Sequence, residues 1–201
     1  MFMPSAPRAS GGLYCLQQIQ CRLSTILLRP GHTITCVAEY FGLRATLSPR
    51  PHTGKSPTGS HIHMSLNPVT QATQPLSDAF FAGVIAHLPS IRAFCMPQVA
   101  SYGRVAADCR ACGVYATWGW YNKETPLQCM RDNRLEIRVM DGLANLYLAL
   151  SSIIAAGILG IQTKVPLGTG VANGKGRPSC QQTNGRLQEL IKYFPRHLKR
   201  A

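Results

Sequence analysis

Two short stretches set chemically capable side chains at alternating positions: Ser60-His61-Ile62-His63-Met64-Ser65-Leu66 and Arg134-Leu135-Glu136-Ile137-Arg138-Val139. Successive side chains of an extended strand point to opposite faces, so His61, His63 and Ser65 share one face, and Ile62, Met64 and Leu66 the other. By the same arithmetic Arg134, Glu136 and Arg138 lie together, opposite Leu135, Ile137 and Val139. If the apolar faces pack on helices, the polar faces turn imidazoles, a carboxylate and guanidinium groups toward one cavity. A neutral imidazole and a carboxylate suit Mg²⁺ or Mn²⁺ at a phosphate site, and arginine forks clamp phosphate or carboxylate oxygens. Each stretch alone is also what a solvated strand face or a cross-strand ion-pair ladder carries. The chemistry therefore requires the two strands to meet.

The surrounding elements follow from periodicity. Ile34, Val37, Ala38 and Phe41 fall at helical spacing after His32, and Gly42 is a stop signal. A strand is expected over Leu43–Leu47, then a turn-rich loop from His52 to Thr58. Ser77 reads as the cap of a helix carrying Phe80, Phe81, Val84, Ile85 and Leu88 and ending near Pro89. A second short helix covers Ser90–Cys95. Residues 101–113 read as a long loop before a strand Val114–Trp118. After the Arg134–Val139 strand, Leu143–Ile161 is a charge-free apolar run. Its length would span a membrane. Asn145, Tyr147, two serines and two glycines instead predict a helix packed inside a protein, with no membrane partner.

Composition bounds the function class. The 201 residues are 45% hydrophobic and 14% charged, which excludes a disordered chain and suits one domain. The net charge of +13 belongs to the ends. Residues 1–55 and 164–201 carry +5 and +7, whereas residues 56–163 are almost neutral. The basic tail holds few aromatics, so nucleic acid is not the expected partner. Eight cysteines without an apolar leader predict reduced thiols and a cytoplasmic location. Cys109-x-x-Cys112 has no second Cys or His pair to complete a zinc site.

The motifs also resemble a known family. Gly59-Ser60-His61-Ile62-His63-Met64-Ser65-Leu66, Ala100-Ser101-Tyr102-Gly103-Arg104-Val105, Asn122-Lys123-Glu124-Thr125-Pro126-Leu127, Arg134-Leu135-Glu136-Ile137-Arg138 and the run from Asp141 to Leu150 occur in one order. Together they resemble the catalytic domain of the glutamine synthetase family, closest to its fungal glutamine-synthetase-like branch and truncated. The resemblance covers about residues 32–163, between an irregular segment 1–31 and a basic irregular tail 164–201. It implies an α+β fold, an incomplete catalytic domain with an antiparallel curved sheet and helices packed outside. It implies an ATP-dependent ligase that phosphorylates the γ-carboxylate of glutamate and lets ammonia displace the phosphate, working as a homo-oligomer when intact.

Carried over by position, His61 and Glu136 look like ligands of a Mg²⁺ or Mn²⁺ ion. His63, Ser65, Lys123 and Arg134 look like nucleotide-site residues that bind ATP. Arg104 and Arg138 look like substrate-binding arginines, with Arg104 also catalytic. Departures bear on activity. Ser56-Pro57-Thr58 replaces a glycine-rich approach, and Lys123 and Gln128 stand where two phosphate-binding arginines are expected. Arg110 occupies the place of a glutamate. Before His61 the chain has one carboxylate, Glu39, where the family has several acidic metal ligands. Impaired activity is expected, or a non-catalytic scaffold or regulatory role.

Overall fold

A computed structural model describes residues 30–52, 55–66, 70–105, 111–131, 134–168 and 170. Residues 1–29 of the segment 1–31 and residues 171–201 of the segment 164–201 lie outside the described residues, as do Cys109 and Arg110. The architecture is α+β. Helix α1 (residues 30–40) is followed by strand β1 (Ile62–Ser65), helices α2 (Gln74–Ala86) and α3 (Leu88–Cys95), and a 3₁₀ helix, Val99–Arg104. Strands β2 (Trp118–Trp120), β3 (Leu127–Arg131) and β4 (Arg134–Ile137) precede helix α4 (Leu146–Thr163).

The four strands form one sheet in the order β1-β4-β3-β2. β1 runs antiparallel to β4, pairing Ile62 with Ile137, His63 with Glu136, Met64 with Leu135 and Ser65 with Arg134. β3 is antiparallel to β4, but β2 pairs parallel with β3, so the sheet is mixed rather than wholly antiparallel. The short Tyr121–Pro126 turn reverses no strand here; it shifts the chain so that Trp118 stands beside Leu127.

Alternation explains why the sheet folds onto its helices. Leu127, Cys129, Leu135 and Ile137 are buried with Phe81, Val84, Leu88, Ile91 and Ile153 in one apolar core. Burying each such side chain stabilises by roughly 1.5–3 kcal/mol. α4 begins at Asn145, whose side chain accepts hydrogen bonds from the Tyr147 and Leu148 amides at 3.0 and 3.2 Å. It ends where Lys164 turns left-handed at φ 51°. α2 and α4 approach backbone to backbone: a Cβ on Gly83 would lie 2.7 Å from Gly160 Cα. Among the described residues α4 is the one helix long and apolar enough to cross a membrane, and 33% of that stretch is buried within this fold.

Several local expectations change. Leu43–Leu47 joins no ladder, so it is not a strand. Ser77 does not cap α2; it is buried within a helix that starts three residues earlier, with Thr73 as N-cap and Pro75 in the first turn. Pro89 likewise opens α3 instead of closing α2. Part of the expected 101–113 loop is 3₁₀ helix, and the strand placed at Val114–Trp118 begins only at Trp118. β3 was not anticipated, because Leu127-Gln128-Cys129-Met130-Arg131 lacks β-branched residues and pairs through its neighbours.

Candidate active site

β1 and β4 meet, and their polar faces coincide. His63 is directly opposite Glu136 in the ladder, and His61, one step beyond the end of β1, reaches Glu136 diagonally. His61 Nδ1 lies 2.7 Å from Glu136 Oε1. The same oxygen accepts a hydrogen bond from Arg138 Nη1 at 2.7 Å, and that nitrogen also reaches Gln128 Oε1 on β3 at 3.3 Å. A carboxylate only accepts, so His61 donates through Nδ1–H, and both charged side chains of the Glu136–Arg138 pair are under a tenth exposed.

The electrostatics follow from that burial. Desolvation holds the His61 imidazole below its ordinary pKa, and the Arg138 guanidinium pushes in the same direction; Glu136 opposes them. His61 is therefore a neutral imidazole at physiological pH. Gly59 packs its backbone against the ring: a Cβ there would stand 2.8 Å from His61 Cδ2 and would also collide with the Arg104 guanidinium. A larger residue at 59 would force the His61 ring or the Arg104 guanidinium to shift.

Arg104 has a different position from the other candidates. It is fully buried, and its two terminal nitrogens donate to the carbonyl oxygens of Val139 and Arg138, each at 3.0 Å. Its place at the end of the 3₁₀ helix is fixed by reciprocal capping between Gln98 and Ser101 and by Arg50, which donates to the Gly103 carbonyl at 2.8 Å. Arg104 thus grips the backbone from which Arg138 projects. Burial lowers its pKa, with nearby Cys112 and Asp141 acting the other way.

Of the residues nominated from sequence, His61, Glu136 and Arg138 are in direct contact, and Arg104 lies beneath them. Ser65 and Arg134 pair two rungs beyond His63 and Glu136, the next pair on the same face. His63, Ser65 and Arg134 are exposed. Lys123 is exposed in the turn between β2 and β3, and no described contact joins it to the other site residues. Sequence reasoning missed the buried bond from Arg138 to Gln128. The alternation of Gln128 with Leu127 and Cys129 carried that signal, but only the register of β3 against β4 places Gln128 beside Glu136.

The family implies a divalent metal here, and the described residues do not fit one. His61 and Glu136 supply two donors, bonded to each other, and the bonded carboxylate oxygen also holds a guanidinium. No group of three His, Cys, Asp or Glu side chains converges among the described residues. A divalent cation at a catalytic phosphate needs several oxygen or nitrogen donors and is repelled by an adjacent fixed cation. What the arrangement can do unaided is hold a neutral imidazole and a guanidinium in fixed relation beside exposed polar side chains.

Comparison with known proteins bears on this geometry. The family model described as glutamine synthetase, catalytic domain, matches residues 27–201, a span that takes in the segment 164–201. The chain is 39% identical over 141 residues to Protein fluG of Emericella nidulans, covering 70% of this chain and 16% of that protein. It is 32% identical over 152 residues to a glutamine synthetase of Rhizobium leguminosarum bv. phaseoli, covering 67% of this chain and 35% of that enzyme. Among solved structures, apo GmaS superposes with a TM-score of 0.65 at 30% identity over 74% of this chain and 37% of its own. A GmaS/ADP complex superposes with a TM-score of 0.63 at 30% identity over 70% of this chain and 36% of its own. The chain spans about a third of the length of the glutamine synthetases it matches. It belongs to the glutamine synthetase family, as part of that family's catalytic domain.

Proposed function

We propose that this chain carries part of a ligase site that forms an amide from glutamate and ammonia through a γ-glutamyl phosphate, with ATP as phosphoryl donor. The observation that carries the reading is the convergence of His61, Glu136 and Arg138 across the β1–β4 ladder within a family member. In this reading Arg138 binds the substrate carboxylate, and Arg104 fixes Arg138 and contributes positive potential near the transferring phosphoryl group. In the same reading His63, Ser65, Arg134 and Lys123 are the residues assigned to the nucleotide; that GmaS is named as an ADP complex supports a nucleotide ligand. The divalent metal of such a reaction is Mg²⁺ or Mn²⁺; among the described residues only His61 and Glu136 stand at its expected ligand positions, and they do not make a site that fits it. Activity of the chain alone is therefore impaired. The protein acts in the cytoplasm on small molecules, as a homo-oligomer when intact.

The test is phosphate release from ATP in the presence of glutamate and ammonia. Expected is slow turnover that requires both co-substrates and disappears in Glu136→Ala. Turnover that Glu136→Ala leaves unchanged would refute the assignment. A second reading, a non-catalytic scaffold or regulatory member of the family, is favoured by the incomplete donor set. It predicts no phosphate release at any Mg²⁺ or Mn²⁺ concentration.

A further inference from the structure

The other face of the sheet carries a cavity that the ligase reading does not use. β3 and β4 alternate, so Cys129 and Leu135 point away from Gln128 and Glu136. Over them, between β2 and the first turns of α2, is a cavity of about 320 Å³ walled by Trp118, Trp120, Phe81 and Leu135. The two indoles meet edge to face, with ring centres 6.3 Å apart. Trp118 is held by its own Nε1–H, which donates to the Gly168 carbonyl at 2.8 Å. One charged side chain lines the cavity, Asp78 of α2. Its Oδ1 accepts from Gln74 Nε2 at 2.9 Å, which orients the carboxylate without neutralising it. Among the described residues no cation pairs with Asp78, although the chain as a whole is strongly basic.

We propose that this cavity binds a small organic cation, an ammonium group on a short hydrocarbon body. Aromatic walls attract a cation through their ring faces, most strongly when the ring is indole, and an oriented carboxylate supplies the counter-charge. Neither attracts an anion, and an uncharged apolar ligand gains nothing from Asp78. At roughly 30 Å³ per heavy atom, as for liquid water, the volume admits a ligand of about ten non-hydrogen atoms. The inference stands apart from the ligase reading, since none of the cavity residues belongs to the His61–Glu136–Arg138 face.

The chain has two tryptophans, both in this wall, so intrinsic indole fluorescence of the full chain reports on this cavity alone. The probes are n-hexyltrimethylammonium, n-hexanol and hexanoate. Expected is a saturable change with the ammonium probe, at least about tenfold tighter than with hexanol and absent with hexanoate. Asp78→Asn keeps the bond to Gln74 and removes the charge; it should weaken the ammonium probe about tenfold and leave hexanol unchanged. Gln74→Ala, which frees the carboxylate without removing it, should weaken the probe less. Equal response to all three probes, no saturable response, or an ammonium affinity indifferent to Asp78→Asn would each overturn the proposal.

Discussion

Removing the carboxylate of Glu136 takes from two neighbours the acceptor they share. In Glu136→Ala, Arg138 loses the carboxylate that offsets its buried guanidinium while the 3.3 Å contact of its Nη1 with Gln128 remains, and His61 loses the acceptor of its Nδ1–H. Breaking a buried ion pair by deleting one partner costs about 3–5 kcal/mol, because the surviving charge is uncompensated. For a chain of this length each kcal/mol moves the midpoint by about 2–4 °C, so Tm should fall by about 10 °C. Glu136→Gln retains an acceptor and should fall by about half as much. Adding Arg138→Met to Glu136→Ala removes the buried charge and should recover most of the loss, a coupling that a double-mutant cycle measures directly. Calorimetry together with urea unfolding supplies all four stabilities. A loss below about 1 kcal/mol for Glu136→Ala, with no recovery in the double variant, is what an exposed pair would give. It would refute the buried, closed triad on which the site description rests.

Further outcomes follow from other contacts. Gly83→Ala places a methyl group against the backbone of Gly160, which cannot yield without parting α2 from α4; calorimetry should show a loss of about 1–3 kcal/mol, and an unchanged Tm would contradict the close approach. Because burial lowers the His61 pKa, the unfolded chain takes up a proton first on acidification. Stability that is full above the ordinary histidine value of 6.5 is lost as pH falls below it toward the folded-state pKa. The difference between wild type and His61→Asn in urea midpoint at pH 7.5 and 5.0 should reveal this, and an equal shift in both would dismiss it. Mn²⁺ titrated into the chain and followed by electron paramagnetic resonance should bind no tighter than about 1 mM. Micromolar binding that vanishes in Glu136→Gln would show that the two donors suffice.

The parts of the fold that were legible in the sequence are those where local pattern and tertiary demand agree. Alternation in His61–Leu66 and Arg134–Val139 placed the two site strands, and the apolar run after Asn145 placed α4 within three residues at each end. Misreadings came from residues with two uses. Pro89 and Ser77 carry start and stop signals that a helix can also accommodate in its first turn or interior, and tertiary contacts decided. β3 was invisible because its composition is not strand-like, and its register supplies Gln128 to the site. The burial of Arg104 was equally hidden, since nothing in Tyr102-Gly103-Arg104 says that its guanidinium is directed at main-chain carbonyls rather than outward. The helical stripe Ile34, Val37 and Phe41 predicts a covered face, yet these side chains are exposed among the described residues.

The inward-facing arginines alter what a formal charge means for this molecule. Arg92 donates to the carbonyls of Gly113 and Val114, Arg104 to those of Val139 and Arg138, and Arg138 to Glu136, so three of the seven cations between residues 56 and 163 serve as internal fasteners. A polyanion drifting toward this region meets a surface poorer in positive potential than its composition suggests. Dicarbonyl reagents that attack guanidinium groups should likewise spare these three until the chain unfolds, making arginine modification a gauge of the intact fold.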